Sequence, residues 1–152
     1  MSNKEDIALM AHLMRRAGFG TTRDELEAQV ARGYEATVEE LLGSRVARDI
    51  EDDVIRRFHH ELSGMMSPVA TPIYWLYRMA TTNPPLQEKV TLFWHSVFAT
   101  SNAKVVQGKV MNEQIEMLRH HGMGSFKTLL AELSRDPAMI IWLDNNDNHN
   151  GS

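Results

Sequence analysis

The chain has 152 residues, 43% of them hydrophobic and 24% charged, which is the make-up of about one globular domain and excludes a wholly disordered polymer. Its 20 acidic and 16 basic residues give a formal net charge of −4, the wrong sign for a surface that coats phosphates, so nucleic acid is excluded as a first partner. The absence of cysteine excludes disulfides, thiolate nucleophiles, iron–sulfur clusters and cysteine-ligated zinc.

Ser2 and Glu5 have the spacing of a capping box. Ile7, Met10, Leu13 and Met14 then form one helical stripe that Gly18 ends. Glu5, Asp6, His12, Arg15 and Arg16 interrupt every apolar run of signal-peptide length. No stretch reaches the ~20 apolar residues of a membrane span. No membrane partner is expected, and a cytoplasmic location is the default. Thr22 and Glu25 repeat the capping spacing and open a short helix that ends at Gly33. A third helix follows from about Tyr34 to Leu42. These predict a small helical module over about 1–43, joined by the polar stretch 44–49 to a main bundle over about 50–143.

In the bundle, Val54, Ile55, Phe58 and Leu62 recur at helical spacing, and 63–68 reads as a break. Helices are predicted over 69–81, 86–101, 104–121, 125–135 and 137–143. Asn83-Pro84-Pro85 ends one helix and starts the next, and Asp136-Pro137 sets an N-cap before a first-turn proline. No stretch alternates with the period of two that marks a half-buried strand. The fold class predicted is all-α, an irregular bundle of about eight or nine helices in a single domain over 1–143. A polar tail follows over 144–152. The ten methionines read as adaptable core filling.

Histidines carry what chemistry the sequence offers. On a wheel of 100° per residue, Leu86, Val90, Phe93, Trp94 and Val97 share one arc. His95 lies opposite it, with Glu88, Thr91 and Asn102 within about 40°. Three readings fit this polar stripe: a face turned to water, a hydrogen-bond network between helices, or a site in which Glu88 orients His95 as a base or metal ligand. On the next helix His121 falls in the apolar arc of Met111, Ile115 and Leu118, and His120 falls outside it beside Glu113 and Glu116. His121 is therefore expected inside, satisfying a carbonyl or carboxylate, and His120 in solvent. His59 and His60 diverge by about 100° and do not converge on one ion. Asp144, Asn146 and Asn148 have the opening spacing of a calcium loop, but His149 stands where that loop needs glycine. The usual hydrolase, kinase and dinucleotide signatures do not occur.

Three stretches read together, RRAGFG (15–20), LQEKVTLFWHSVFATSNAKV (86–105) and LSRDPAMIIWLDNNDNHNGS (133–152), resemble the N-terminal part of the bacterial family called domain of unknown function 1800. Arg119, His121, Gly124 and Phe126 match that family's Arg-x-His and Gly-x-Phe motif. Val97 departs from it, standing where members often carry a second histidine. The resemblance implies a longer protein, continuing into a Pro-Asn-Glu-Asn segment and an Arg-Glu-Leu-rich helix, and a periplasmic location, since members are often exported. It implies no reaction or cofactor.

The first expectation is thus a structural or binding role without activity of its own, with the following region of the same protein as partner. Self-association through exposed apolar surface near Ile140, Ile141 and Trp142 goes with it. A second is part of a metal-assisted hydrolase site, with Glu88, His95, His121, Asp144 and Asn145 as candidate residues and His95 and His121 as candidate metal ligands. A third is a protein-interaction module docking a helix on Met65, Met66 or Met123.

Overall fold

A computed structural model describes residues 3–43, 70–83 and 85–148. They form eight α-helices and a short 3₁₀ turn, with no strand among them, so the fold is an all-α irregular bundle. The helices are α1 (Asn3–Ala17), α2 (Arg23–Arg32), α3 (Tyr34–Gly43), α4 (Ala70–Thr81), α5 (Leu86–Val97), α6 (Gly108–His121), α7 (Phe126–Leu133) and α8 (Pro137–Trp142), followed by the turn Asn145–Asp147. The expected helix near 50–62, the break at 63–68, His59, His60, Met65, Met66, Ser2 and His149 lie outside the described residues.

The described residues divide into two compact units. The first holds 3–43 with 79–83 and 85–89, and the second holds 70–78 with 90–148.

In the first unit, α1 presents its stripe inward. Met10, Met14 and Ala17 pack with Leu41 of α3, and Leu13, Leu26, Val30 and Leu86 close around them. Thr22 opens α2 with a complete capping box. Its side chain accepts from the Glu25 N–H, and the Glu25 carboxylate accepts from the Thr22 N–H at 2.7 Å. Gly33 joins α2 to α3 at φ 104°, a left-handed-side backbone that side chains resist. The Thr37 hydroxyl then donates to the Gly33 carbonyl at 2.8 Å at the start of α3 and lies 3.5 Å from the Gln29 carbonyl of α2.

In the second unit, two apolar clusters take up one face of α6 at successive levels, two turns apart. Val105, Met111 and Ala138 gather Val110, Ile141 and Trp142. Leu118, Leu129 and Leu133 gather Trp94, Phe98, Met117 and Met139. A polar chain crosses the same interior. The Thr100 hydroxyl donates to Gln114 Oε1 at 2.5 Å, Gln114 Nε2 donates to Asp136 Oδ1 at 2.9 Å, and the Met139 N–H donates to the same carboxylate oxygen at 2.9 Å. Asp136 is therefore the N-cap of α8, as its place before Pro137 predicts.

Two helix ends differ from the periodicity. α5 stops at Val97 rather than near 101, and α6 starts at Gly108 rather than 104. Thr100-Ser101-Asn102 is responsible. The Ser101 carbonyl takes the N–H groups of Lys104 and Val105, and the Ser101 hydroxyl takes that of Ala103, so the backbone turns instead of coiling on.

Candidate functional site

α5 does not bury its whole apolar arc. Phe93 is 56% and Val97 52% exposed, while Leu86 and Trp94 pack against core clusters. The polar stripe of α5 points inward, with Glu88 0% and Thr91 1% exposed, and neither of these lacks a polar partner. The water-facing reading of the stripe is corrected by this burial. A helix takes the orientation that satisfies its polar groups, because a buried carboxylate or hydroxyl left unmet costs more than an exposed apolar side chain.

His95 is half-buried. The edge of its ring meets Trp75 of α4 at a centroid distance of 5.1 Å and an interplanar angle of 80°. Its Nδ1 is buried and has no hydrogen-bond partner. Burial alone holds the imidazole below the ordinary histidine pKa, so the ring is neutral at pH 7. His121 is half-buried at the end of α6 and His120 is exposed. The His121 carbonyl accepts from the Gly124 N–H at 2.9 Å. Asp144 is exposed and takes a left-handed backbone at φ 57°, which aspartate tolerates. Its carboxylate pairs with Lys104 Nζ at 2.7 Å, and the same ammonium donates to the Trp142 carbonyl at 2.8 Å, closing the C-terminal end of α8. Asn145 is exposed and accepts from Asn148 Nδ2 at 2.9 Å. Glu88 belongs to the first unit, and His95, His121, Asp144 and Asn145 to the second. No group of three or more histidine, aspartate or glutamate side chains among the described residues is placed to hold a metal ion.

What the second unit does assemble is an aromatic surface. Trp94 lies at its centre. The Phe93 ring meets it edge-on at 5.0 Å, while Phe98 at 5.7 Å and Phe126 at 5.6 Å stack against it. The indole N–H donates to the Gly122 carbonyl at 2.7 Å, which ties α5 to the end of α6. Gly122 has to be glycine here: a Cβ would stand 2.8 Å from Trp94 Cδ1 and 2.5 Å from the Leu118 carbonyl oxygen. Around this anchor Phe93 and Val97 continue along α5, and Phe126 and Leu130 along α7, each pair one helical turn apart and all four exposed. Sequence reading placed the exposed apolar surface at Ile140, Ile141 and Trp142 instead. Those three are half-buried, two of them in the cluster beside α6.

These features define an all-helical protein whose second unit turns a tethered aromatic face to solvent. No helix among the described residues is long and apolar enough to cross a membrane. The chain belongs to the family described as "Protein of unknown function (DUF1800)", whose family model matches residues 12–152. No curated protein and no solved structure matches it.

Proposed function

We propose that the chain is a helical binding module, without activity of its own, whose second unit docks an apolar polypeptide segment on the face around Trp94. The observation that carries this is the exposure of Phe93 and Val97 on α5 and of Phe126 and Leu130 on α7. Phe93, Val97, Phe126 and Leu130 leave roughly 350 Å² of apolar surface in water, taking ~200 Å² for a whole phenylalanine, which is comparable to the largest patch of a typical monomer, a patch that is often functional. Covering it is worth up to about 9 kcal/mol before the costs of association. The Trp94–Gly122 hydrogen bond holds the patch rigid, so little ordering entropy opposes docking. Exposed anchors on α5 and α7, joined through the Trp94–Phe126 stack, suit an amphipathic helix from a second copy or from further chain of the same protein. Sedimentation of the native chain and of a Phe93→Ser/Val97→Ser variant tests this. The native chain should self-associate as concentration rises, and the variant should stay monomeric with unchanged helix content. A strictly monomeric native chain with no dye-accessible apolar surface refutes it.

One observation favours a second reading, part of a metal-assisted site. The buried, unpartnered Nδ1 of His95 is a nitrogen with an unused lone pair or proton. In that reading His95 and His121 supply imidazoles to a centre completed by other residues. Metal analysis of the native chain beside His95→Ala and His121→Ala variants decides it, since binding has to be lost in both.

A further inference from the structure

We propose that a cavity in the first unit binds a small organic ammonium, a cationic N–H donor on an apolar body. The inference is independent of the aromatic face, which belongs to the other unit. The cavity has a volume of about 560 Å³, within the range of small-molecule sites and far beyond the needs of one water. Two of its walls are helices. Glu25, Gln29 and Arg32 line it from α2 at i, i+4 and i+7, and Thr37 and Leu41 line it from α3 at i and i+4. α2 has no buried residue, and Leu26 and Val30 reach the core cluster from its flank. One stripe of α2 therefore packs, and the stripe beside it faces open space.

Most polar groups on these walls are already engaged. The Glu25 carboxylate accepts from the Thr22 N–H and from the hydroxyls of Thr21 and Thr22. The Thr37 hydroxyl donates to the Gly33 carbonyl, and Arg32 pairs with Glu40. Gln29 is the exception: its Oε1 is buried and has no hydrogen-bond partner. An acceptor in that state carries an unrepaid desolvation cost, which a donor relieves. The last torsion of a glutamine side chain is broad and two-fold, so a half-turn exchanges the amide oxygen and nitrogen, and in that rotamer the oxygen meets the cavity, where an ammonium makes a charge-assisted hydrogen bond stronger than that of a water.

Charge selects the donor. Two carboxylates, Glu25 and Glu40, against one guanidinium, Arg32, leave the lining net negative. That repels a carboxylate ligand and attracts an ammonium. Met14 and Leu41 supply the apolar floor.

The test uses the full chain and three probes of one shape: benzylamine, benzyl alcohol and benzoate. Nitrogen-resolved NMR follows the Gln29 side-chain amide and the backbone of Thr37 and Leu41. Benzylamine should shift these signals saturably, benzyl alcohol should bind roughly tenfold more weakly for want of a charge-assisted hydrogen bond, and benzoate should not bind. Gln29→Leu should weaken benzylamine roughly tenfold, and Ala28→Trp, which fills the cavity from α2, should abolish its binding. Gln29→Leu changes no charge and little volume, so it carries the test should the tryptophan variant not fold. Equal binding of benzoate or of the alcohol, benzylamine binding that Gln29→Leu leaves unchanged, or no saturable shift at all would each overturn the proposal.

Discussion

Gln114→Leu measures the worth of the polar chain inside the second unit, because leucine keeps most of the volume and removes both amide groups. In the native chain Gln114 is 0% exposed, accepts from Thr100 and donates to Asp136. The variant leaves Asp136 with the backbone donors of α8 and Thr100 with the Met111 sulfur at 3.5 Å. Losing one hydrogen bond to a carboxylate costs about 1.5–3 kcal/mol, and leaving a hydroxyl with a poorer acceptor about 1 kcal/mol. The extra apolar burial of leucine returns about 1 kcal/mol. The net loss is about 1.5–3 kcal/mol, which in a chain of this length lowers Tm by roughly 3–12 °C. The deficit also has a pH signature. Burial raises the Asp136 pKa above its usual 3.8, against the lowering effect of the Met139 and Gln114 donors. The native state thus holds this proton to higher pH than the unfolded chain, and ionising Asp136 costs native stability as pH rises from 3.8 through the folded value. Without the Gln114 donor the folded value climbs further. The gap between the two proteins should be small at acid pH and reach full size at neutral pH. Thermal melts followed by far-ultraviolet circular dichroism measure it. An unchanged Tm at neutral pH, or a gap that grows on acidification, refutes the reasoning.

Gly122→Ala forces a methyl against Trp94 and the Leu118 carbonyl, and should cost about 2–4 kcal/mol from overpacking and the lost indole bond. Tryptophan emission should shift to the red in the same variant, and native-like emission and Tm would contradict this account of the tether. His95 has its folded pKa lowered by burial. The unfolded chain therefore binds the proton first, and native stability falls as pH drops through the ordinary histidine value near 6.5 toward the folded one. His95→Phe should flatten that part of the Tm-against-pH curve and cost little at neutral pH; an equally steep curve in the variant would mean that another group controls it.

The parts of the fold legible in the sequence are those fixed by short-range chemistry. The capping box at Thr22 and Glu25, the stop after Ala17, and the Asp136-Pro137 start are each settled within four residues of themselves. The inward stripe of α1 was legible because no polar residue competes for that face. α5 left three readings open for the opposite reason. Periodicity separates its two faces but does not say which one finds partners, and burial of Glu88 and Thr91 with polar partners outweighed exposure of Phe93 and Val97. The burial of Asn112, Gln114 and Arg119 on α6 was hidden in the same way. Of the histidines on α6, the wheel expects His121 inside and His120 in solvent; His121 is half-buried and His120 exposed. The role of Asp144 did not follow, because its lysine is forty residues away in sequence. The cavity beside α2 depends on how α2 and α3 diverge after Gly33: the stop at that glycine was legible, the divergence was not.

The Thr100–Gln114–Asp136 relay also acts on the competitors of the native fold. A bundle joined only by oily contacts can slide by one turn, or rotate a helix, at little penalty, because one leucine replaces another. Here each polar atom has a single address. Any shifted packing of α6 against α8 strands an amide or a carboxylate in a dry interior, so misregistered states lose far more energy than their apolar contacts alone would cost.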